Sequence, residues 1–396
     1  MVERPSPPTS RHRATPFWRD VRFLRVVGQI IFVVLVALLA GWLYANVMHS
    51  LEVRGMRLGF HFLRLEAGFE ISEGPEYGPS DSYGKAFLIG VANTLKVSFI
   101  GVIFATLLGL TAGIARLSSN WLMRKIASIY IEAIRNTPLL VQLFFWYTAV
   151  LLKLPPVRES LRLPASIYIN QRGLYLPWPY LSPGFKFWGY SLIAAAILAG
   201  LVYLFRRRQL RQIERPGFPS AWALPVFAAV AILGWFLAPT TPLHWSIPVM
   251  KKFNFQGGLQ MTPEFTALLA GLVIYTGAFI AEIVRAGILA VHPGQKEAAK
   301  AVGLRNVQIL RLVVLPQALR VIIPPLTSQY LNLAKNSSLA VAIGYPDLFN
   351  VAGTIFNQTG KAIEVILMIM GSYLIMSLST SVFMNWYNRR TQLVER

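Results

Sequence analysis

The chain has no cysteine, which excludes disulfides, thiolate nucleophiles and cysteine-held metal centres. Histidine is scarce as well: five residues, scattered singly, with no pair at helical spacing that would suit a metal. Acids are few, 17 Asp and Glu against 38 Lys and Arg. No stretch reads HExxH, clusters carboxylates or sets a serine beside a base, so an intramembrane enzyme lacks its chemistry. A phosphate loop is missing too. Gly360-Lys361 imitates the end of one, but no glycine stands five residues before Gly360, and Ala362 occupies the place of the required Ser or Thr.

What is present is apolar. Hydrophobic residues make up 55% of the chain and mean hydropathy is +0.50, far from the balance of a soluble domain. Runs long enough to cross about 30 Å of hydrocarbon recur near 27–48, 86–115, 126–150, 188–205, 221–238, 263–291, 317–343 and 362–387. They predict an all-α polytopic membrane protein of about eight spans. Residues 1–26, rich in Pro, Ser and Arg, predict a loose tail. The long basic lead and the lack of a small-residue cleavage site after the first run argue against a signal peptide.

The formal charge of +21 raises the question of a nucleic-acid partner. Basic turns at 116–125, 206–215, 292–311 and 389–390 all fall on one side when spans are counted from a cytoplasmic N-terminus. That is the positive-inside pattern, so membrane lipid is the expected partner and nucleic acid is not. Both termini are expected in the cytoplasm.

Local signals refine the spans. Gly109 and Gly113, four apart, predict close approach of another helix. Pro138 cannot donate to the carbonyl of Ile134, so the third span is expected to kink or open there. Residues 151–187 read as an outer interfacial loop, with Trp178 and Trp188 near the headgroups.

The stretch 292–316 is the polar break between two apolar segments and reads as two short helices. Pro293 suits a first turn, and Gly303 supplies a left-handed stop. Asn306 is expected to cap the second helix and Pro316 to end it. Val307, Leu310, Val313 and Val314 are expected to share its buried face, with Arg305, Gln308 and Arg311 toward water.

Glu297-Ala298-Ala299, three residues, Gly303, nine residues, Val313, one residue, Leu315-Pro316 resembles the cytoplasmic coupling loop of ABC-importer permeases. Four further stretches, 90–98, 130–147, 275–288 and 331–349, resemble the polar amino-acid branch of that family, the histidine and glutamine type. The extended chain, with GFHFL and AGFEIS before the core, is similar to the longer permease subunit of general L-amino-acid uptake systems. The resemblance implies a type I importer permease core of five helices at 85–150 and 263–396. To it are added an extra first helix and loop at 27–84 and an inserted segment with a helical hairpin at 151–262.

It also implies a non-enzymatic transport subunit in a bacterial inner membrane. The implied partners are two ATPase subunits that hold ATP and Mg, a second permease subunit expected to be a different chain, and an extracytoplasmic amino-acid-binding protein. Glu297, Ala298, Gly303, Leu315 and Pro316 are then the residues of the ATPase contact. An ion- or proton-coupled secondary transporter of amino acids is the alternative, and it would need an acidic or histidine relay along the pathway.

Two further sets of residues stand out. Glu132 and Arg135, and Glu282 and Arg285, are charges at membrane depth, each costing at least about 2.5 kcal/mol unless paired. They are expected to pair within or between their helices as a brace. On the seventh span Gln329, Asn332 and Asn336 recur at i, i+3 and i+7 with Lys335 beside them, a polar stripe that must face protein or a water-filled cavity. Amides can hold an α-carboxylate and an α-ammonium without fixed charge, so the stripe is a candidate pathway, with contact between packed helices as the rival reading. Asn93, Thr94 and Gln142 are weaker candidates for the same role.

Overall fold

The computed structural model describes residues 21–53, 58–212 and 217–391. The expected tail therefore lies, over residues 1–20, outside the described residues, and so does Arg215 of the basic turn. Contacts divide the chain into Met1–Phe62 and Leu63–Arg396. In the first unit, α1 (Val21–Val53) is apolar all round and starts six residues before the expected span.

The second unit opens with irregular chain over 64–82 and α2 (Tyr83–Arg116), whose first turn is capped by Ser82. Next comes α3 (Trp121–Arg135), capped by Asn120, which buries Ala127 and Ile131. At Pro138 the helix opens fully. A new helix, α4 (Leu139–Phe144), follows and widens into a π-turn at Phe145–Val150. Gln142 Nε2 donates to the carbonyls of Ile134 and Thr137, 3.0 Å each, tying the two sides of the break together. The expected third span is thus two pieces. Among the described residues seven helices are long and apolar enough to cross a membrane, and Leu139–Lys153 is a shorter apolar segment.

The inserted region adds short strands to an otherwise helical chain. It contains β1 (Leu161–Leu163), β2 (Ile167–Asn170), β3 (Gly173–Leu176) and β4 (Trp178–Leu181). The hairpin α5 (Gly184–Gln212) and α6 (Ser220–Leu237) follows, and then β5 (Leu243–Ser246), β6 (Val249–Met250), β7 (Phe255–Gln256) and β8 (Leu259–Met261). Strands β1, β2, β3 and β8 form one antiparallel sheet, and β4–β5 and β6–β7 form two ribbons. The strands on either side of the hairpin pair with each other, which closes the insertion over Val157, Tyr175 and Phe255. Within the hairpin Trp188 Nε1 donates to the Ala231 carbonyl at 3.0 Å and its ring meets that of Trp235 edge-on.

Helix α7 (Pro263–Leu289) is the axis of the core. Thr262 caps it and Pro263 occupies its first turn. Gly109 and Gly113 of α2 allow the close approach: a Cβ on Gly113 would lie 2.6 Å from the Ala281 carbonyl oxygen. Leu268, Leu272, Ile280 and Val284 of α7 pack with Val97 and Ala105 of α2 and with Leu143 of α4. The chain continues through α8 (Pro293–Ala301), α9 (Asn306–Ile309), α10 (Leu315–Asn336), α11 (Leu348–Thr359) and α12 (Ala362–Thr391). Leu333 of α10 and Tyr345 complete the same core.

Candidate functional site

The connection from α7 to α10 forms an exposed ledge. His292 caps α8 by accepting the Gly294 N–H on Nδ1 at 3.1 Å, and Pro293 follows in the first turn. Gly303 has φ +81, and the N–H groups of Gly303 and Leu304 return to the carbonyls of Lys300 and Ala299 at 2.9 and 3.1 Å. This paired closure needs a left-handed residue after the helix, which glycine accepts without strain. The Arg305 N–H donates to Gln308 Oε1 at 2.9 Å, so α9 is held by a side chain of its own first turn rather than by Asn306.

The second half of the ledge departs from expectation. A π-turn at Leu310–Val314 sends the Leu315 N–H back five residues to the Leu310 carbonyl, and the helix runs on through Pro316. The wider turn makes room for a proline that has no N–H to give. It also rotates the face. Ile309 and Val314 are buried, whereas Val307 and Leu310, expected inside, are exposed. Glu297 and Ala298 are exposed beside them, and Ala299 is the buried anchor of α8. Leu315 is exposed and Pro316 half-buried.

At the same end of the core lies a charge cluster. Glu282 pairs with Arg285 at 2.6 Å, as expected, and also with Arg116 of α2 at 2.7 Å. Glu132 does not pair with Arg135 among the described residues. Its partner is Arg116, at 3.1 Å, and Arg135 lies 5.2 Å from the centre of the Phe279 ring. Arg116 is the residue missed in the sequence, although it follows Gly109 and Gly113 at i, i+4 and i+7 and so shares the face that meets α7. Arg116 thus ties α2 to both α3 and α7 through one guanidinium.

The polar stripe on α10 is open. That helix buries Leu326, Leu333 and the adjoining Ser337, and Tyr330 meets Thr106 Oγ1 at 2.9 Å. On the other flank Gln329 and Asn336 are half-buried and Asn332 and Lys335 exposed. None of these four side chains has a hydrogen-bonding or ionic partner among the described residues. Contact between helices of this chain therefore does not account for the stripe.

The weaker pathway candidates are placed otherwise. Asn93 is buried and its Nδ2 donates to the carbonyls of Glu73 and Pro346, 2.9 Å each. Thr94 is buried and accepts the Leu348 N–H at 2.9 Å. Gln142 fills the break at Pro138. All three are joints between segments. The Gly360-Lys361 pair is the left-handed end of α11, with Lys361 Nζ 3.7 Å from Glu364.

Comparison with known proteins matches residues 191–393 to the family described as "Binding-protein-dependent transport system inner membrane component". YhdX of Escherichia coli, whose name places it among amino-acid ABC transporter permeases, is 49% identical over 93% of this chain and 94% of its own. The general L-amino acid transport system permease protein AapQ of Rhizobium johnstonii is 44% identical over 95% and 94%. The glutamate/glutamine/aspartate/asparagine transport system permease protein BztB of Rhodobacter capsulatus is 41% identical over 98% and 99%. These relatives favour the importer reading and not an ion-coupled transporter. The chain, a multi-pass inner-membrane protein, belongs to the family of permease subunits of amino-acid ABC importers.

Proposed function

We propose that this permease moves L-amino acids of a broad, or polar, neutral and acidic, range by alternating access. Its drive comes through residues 292–316, from two ATPase subunits that hold ATP and Mg. The observation that carries this is the ledge itself. Val302, Val307, Leu310 and Leu312 are all at least half exposed around the exposed Glu297, while Ala299, Ile309 and Val314 fix the ledge to the core. An apolar patch on a polar connector between two membrane helices fits a protein partner rather than water. Glu297 faces a basic residue of that partner, Ala298 lets it approach, and Leu315-Pro316 passes the displacement into α10. Both termini then lie on the ATPase side.

The unpartnered stripe Gln329, Asn332, Lys335 and Asn336 lines the solute path where a second permease subunit, a different chain, closes over it. Uncharged amides at three of the four positions suit zwitterions that must also leave. The substrates in the name of BztB support an acidic and neutral range. An extracytoplasmic binding protein delivers the amino acid.

The test is Glu297→Lys in the complete transporter reconstituted in vesicles. Uptake per ATP hydrolysed falls, or the ATPase subunits dissociate on purification; normal coupled uptake refutes the assignment. Gln329→Ala in the same assay shifts the order of preference among acidic, neutral and basic amino acids. An unchanged order removes the stripe from the path.

A further inference from the structure

The outer face carries two opposite charges side by side. Residues 64–81 hold the exposed acids Glu66, Glu70 and Glu76, none of them ion-paired among the described residues. Against them the β-rich insertion, over 151–181 and 243–261, holds Lys153, Arg158, Arg162, Arg172, Lys251 and Lys252 with a single acid, Glu159. All six basic residues are exposed and none forms an ion pair among the described residues. Outer segments of membrane proteins are ordinarily lean in Lys and Arg, so membrane topology does not account for this excess.

The two lobes meet at the mouth of the core. Thr262, which follows β8 and caps α7, donates its hydroxyl to Glu73 Oε2 at 2.7 Å, and Glu73 Oε1 takes Lys96 at 2.6 Å. On the basic side the β6–β7 turn presents Lys251, Lys252 and Phe253, the last 73% exposed. The turn is built to stay put. The Lys251 N–H reaches the Asn254 carbonyl at 2.9 Å, Tyr175 Oη donates to Asn254 Oδ1 at 2.8 Å, and Arg172 Nη1 donates to the Phe253 carbonyl at 3.2 Å. Strand β3 pairs with β8, which sets Arg172 and this tip beside the start of α7. An aromatic side chain held up between cations on a rigid turn, unsatisfied within its own chain, is the make-up of a protein contact. The basic residues also spread from Arg162 on β1, past Arg172 at the β2–β3 turn, to Lys251 and Lys252 on the separate β6–β7 ribbon, wider than one amino acid spans.

We infer that the Lys251-Lys252-Phe253 tip, with Arg172 behind it, is a docking site for an acidic face of the amino-acid-delivering binding protein. The acidic lobe at 64–81 sets which way round that protein lands. This rests on the binding-protein reading given above. Charges at the rim of such a contact act chiefly on the rate of encounter and on its salt dependence.

The test uses the complete transporter in nanodiscs of zwitterionic lipid and the purified, amino-acid-loaded binding protein of the same transport system, with affinity measured across a salt series. Lys251→Glu/Lys252→Glu is expected to weaken binding about tenfold at low salt and to flatten the salt dependence. Phe253→Ala is expected to weaken it by a similar factor with the salt dependence kept. ATP hydrolysis in the absence of binding protein, equal to wild type, reports that each variant is assembled. Equal affinity and equal salt dependence in the charge-reversed variant overturn the inference while leaving the binding-protein reading intact. A wild-type transporter that neither binds that protein nor needs it for uptake removes that reading, and the inference with it. A defect that appears only when phosphatidylglycerol is added to the nanodiscs assigns the tip to anionic lipid instead and overturns the protein contact.

Discussion

Helices α2 and α7 have apolar windows of hydropathy 2.2 and 2.1, and the hairpin helices α5 and α6 have 1.8 and 1.9. Yet those windows are 33% and 56% buried in the first pair and 6% and 11% in the second. Apolarity thus says that a helix can sit in lipid, and something else decides whether it packs against protein. In α2 that something is a face of Gly109, Gly113 and Arg116, which brings backbone against α7 and ends in a shared charge cluster. In the hairpin, Gly189 and Gly200 have no heavy atom within 4 Å of where a Cβ would stand. There Gly234 of α6 admits Ser191 of α5, and Trp188 bonds the Ala231 carbonyl and meets Trp235 edge-on, so the two hairpin helices pack on each other and not on the core. Without water to drive association, small residues and satisfied polar groups decide which faces pack, and α2 and α7 carry them toward several helices whereas the hairpin carries them only between its own two.

The largest effect expected on the core side is at Asp347, which caps α11 by accepting the Asn350 N–H at 2.8 Å and is wholly buried. Burial raises its carboxyl from the ordinary 3.8 to about 6. The folded chain therefore favours the protonated acid. The stability from this group is complete below about pH 4 and lost as pH rises through 6, a swing of about 3 kcal/mol. Asp347→Asn keeps a capping oxygen and removes the swing. Thermal unfolding should show the variant ahead of wild type at pH 8, with the gap closing by pH 4. A gap that does not change with pH contradicts the assignment.

A somewhat smaller effect is expected at the charge cluster. Glu282→Ala leaves Arg285 without its carboxylate and Arg116 with only the exposed Glu132, and should cost about 2 kcal/mol, less than for a fully dry pair because the site is partly open. Glu132→Ala, at an exposed carboxylate, should cost under about 1 kcal/mol. Equal losses would contradict the greater weight given to the α7 carboxylate in holding Arg116.

The glycines then set the two regions directly against each other. Gly113→Ala places a methyl against backbone that cannot turn away and should lower stability by about 1.5 kcal/mol. Gly200→Ala meets open space and should stay within about 0.5 kcal/mol. A loss at Gly200 matching that at Gly113 would show that the hairpin packs on another subunit in the assembled transporter.

The positions of most spans, the opening at Pro138 and the left-handed stop at Gly303 were legible in the sequence, because each depends on a residue and its near neighbours. The strands of the insertion were not. They are two to four residues long, too short for an alternating pattern, and β3 finds β8 and β4 finds β5 only across the helical hairpin. The partner of Glu132 was hidden for a similar reason, since the choice between Arg135 on the same helix and Arg116 on another depends on how helices cross. At the ledge, helical periodicity chose Val307 and Leu310 for burial. The π-turn at Leu310–Val314, ahead of Pro316, leaves them outward, which is where a partner would need them.

The chain has no cysteine, so single cysteines placed on the ledge are unique handles, and they test the central claim most directly. With Ala298→Cys or Val307→Cys, a thiol on the facing surface of the ATPase subunit should form a cross-link whose yield changes when ATP is added. Gly200→Cys on the hairpin should form none. Cross-linking from the hairpin and not from the ledge would contradict the account, because the drive would then enter the permease somewhere other than residues 292–316.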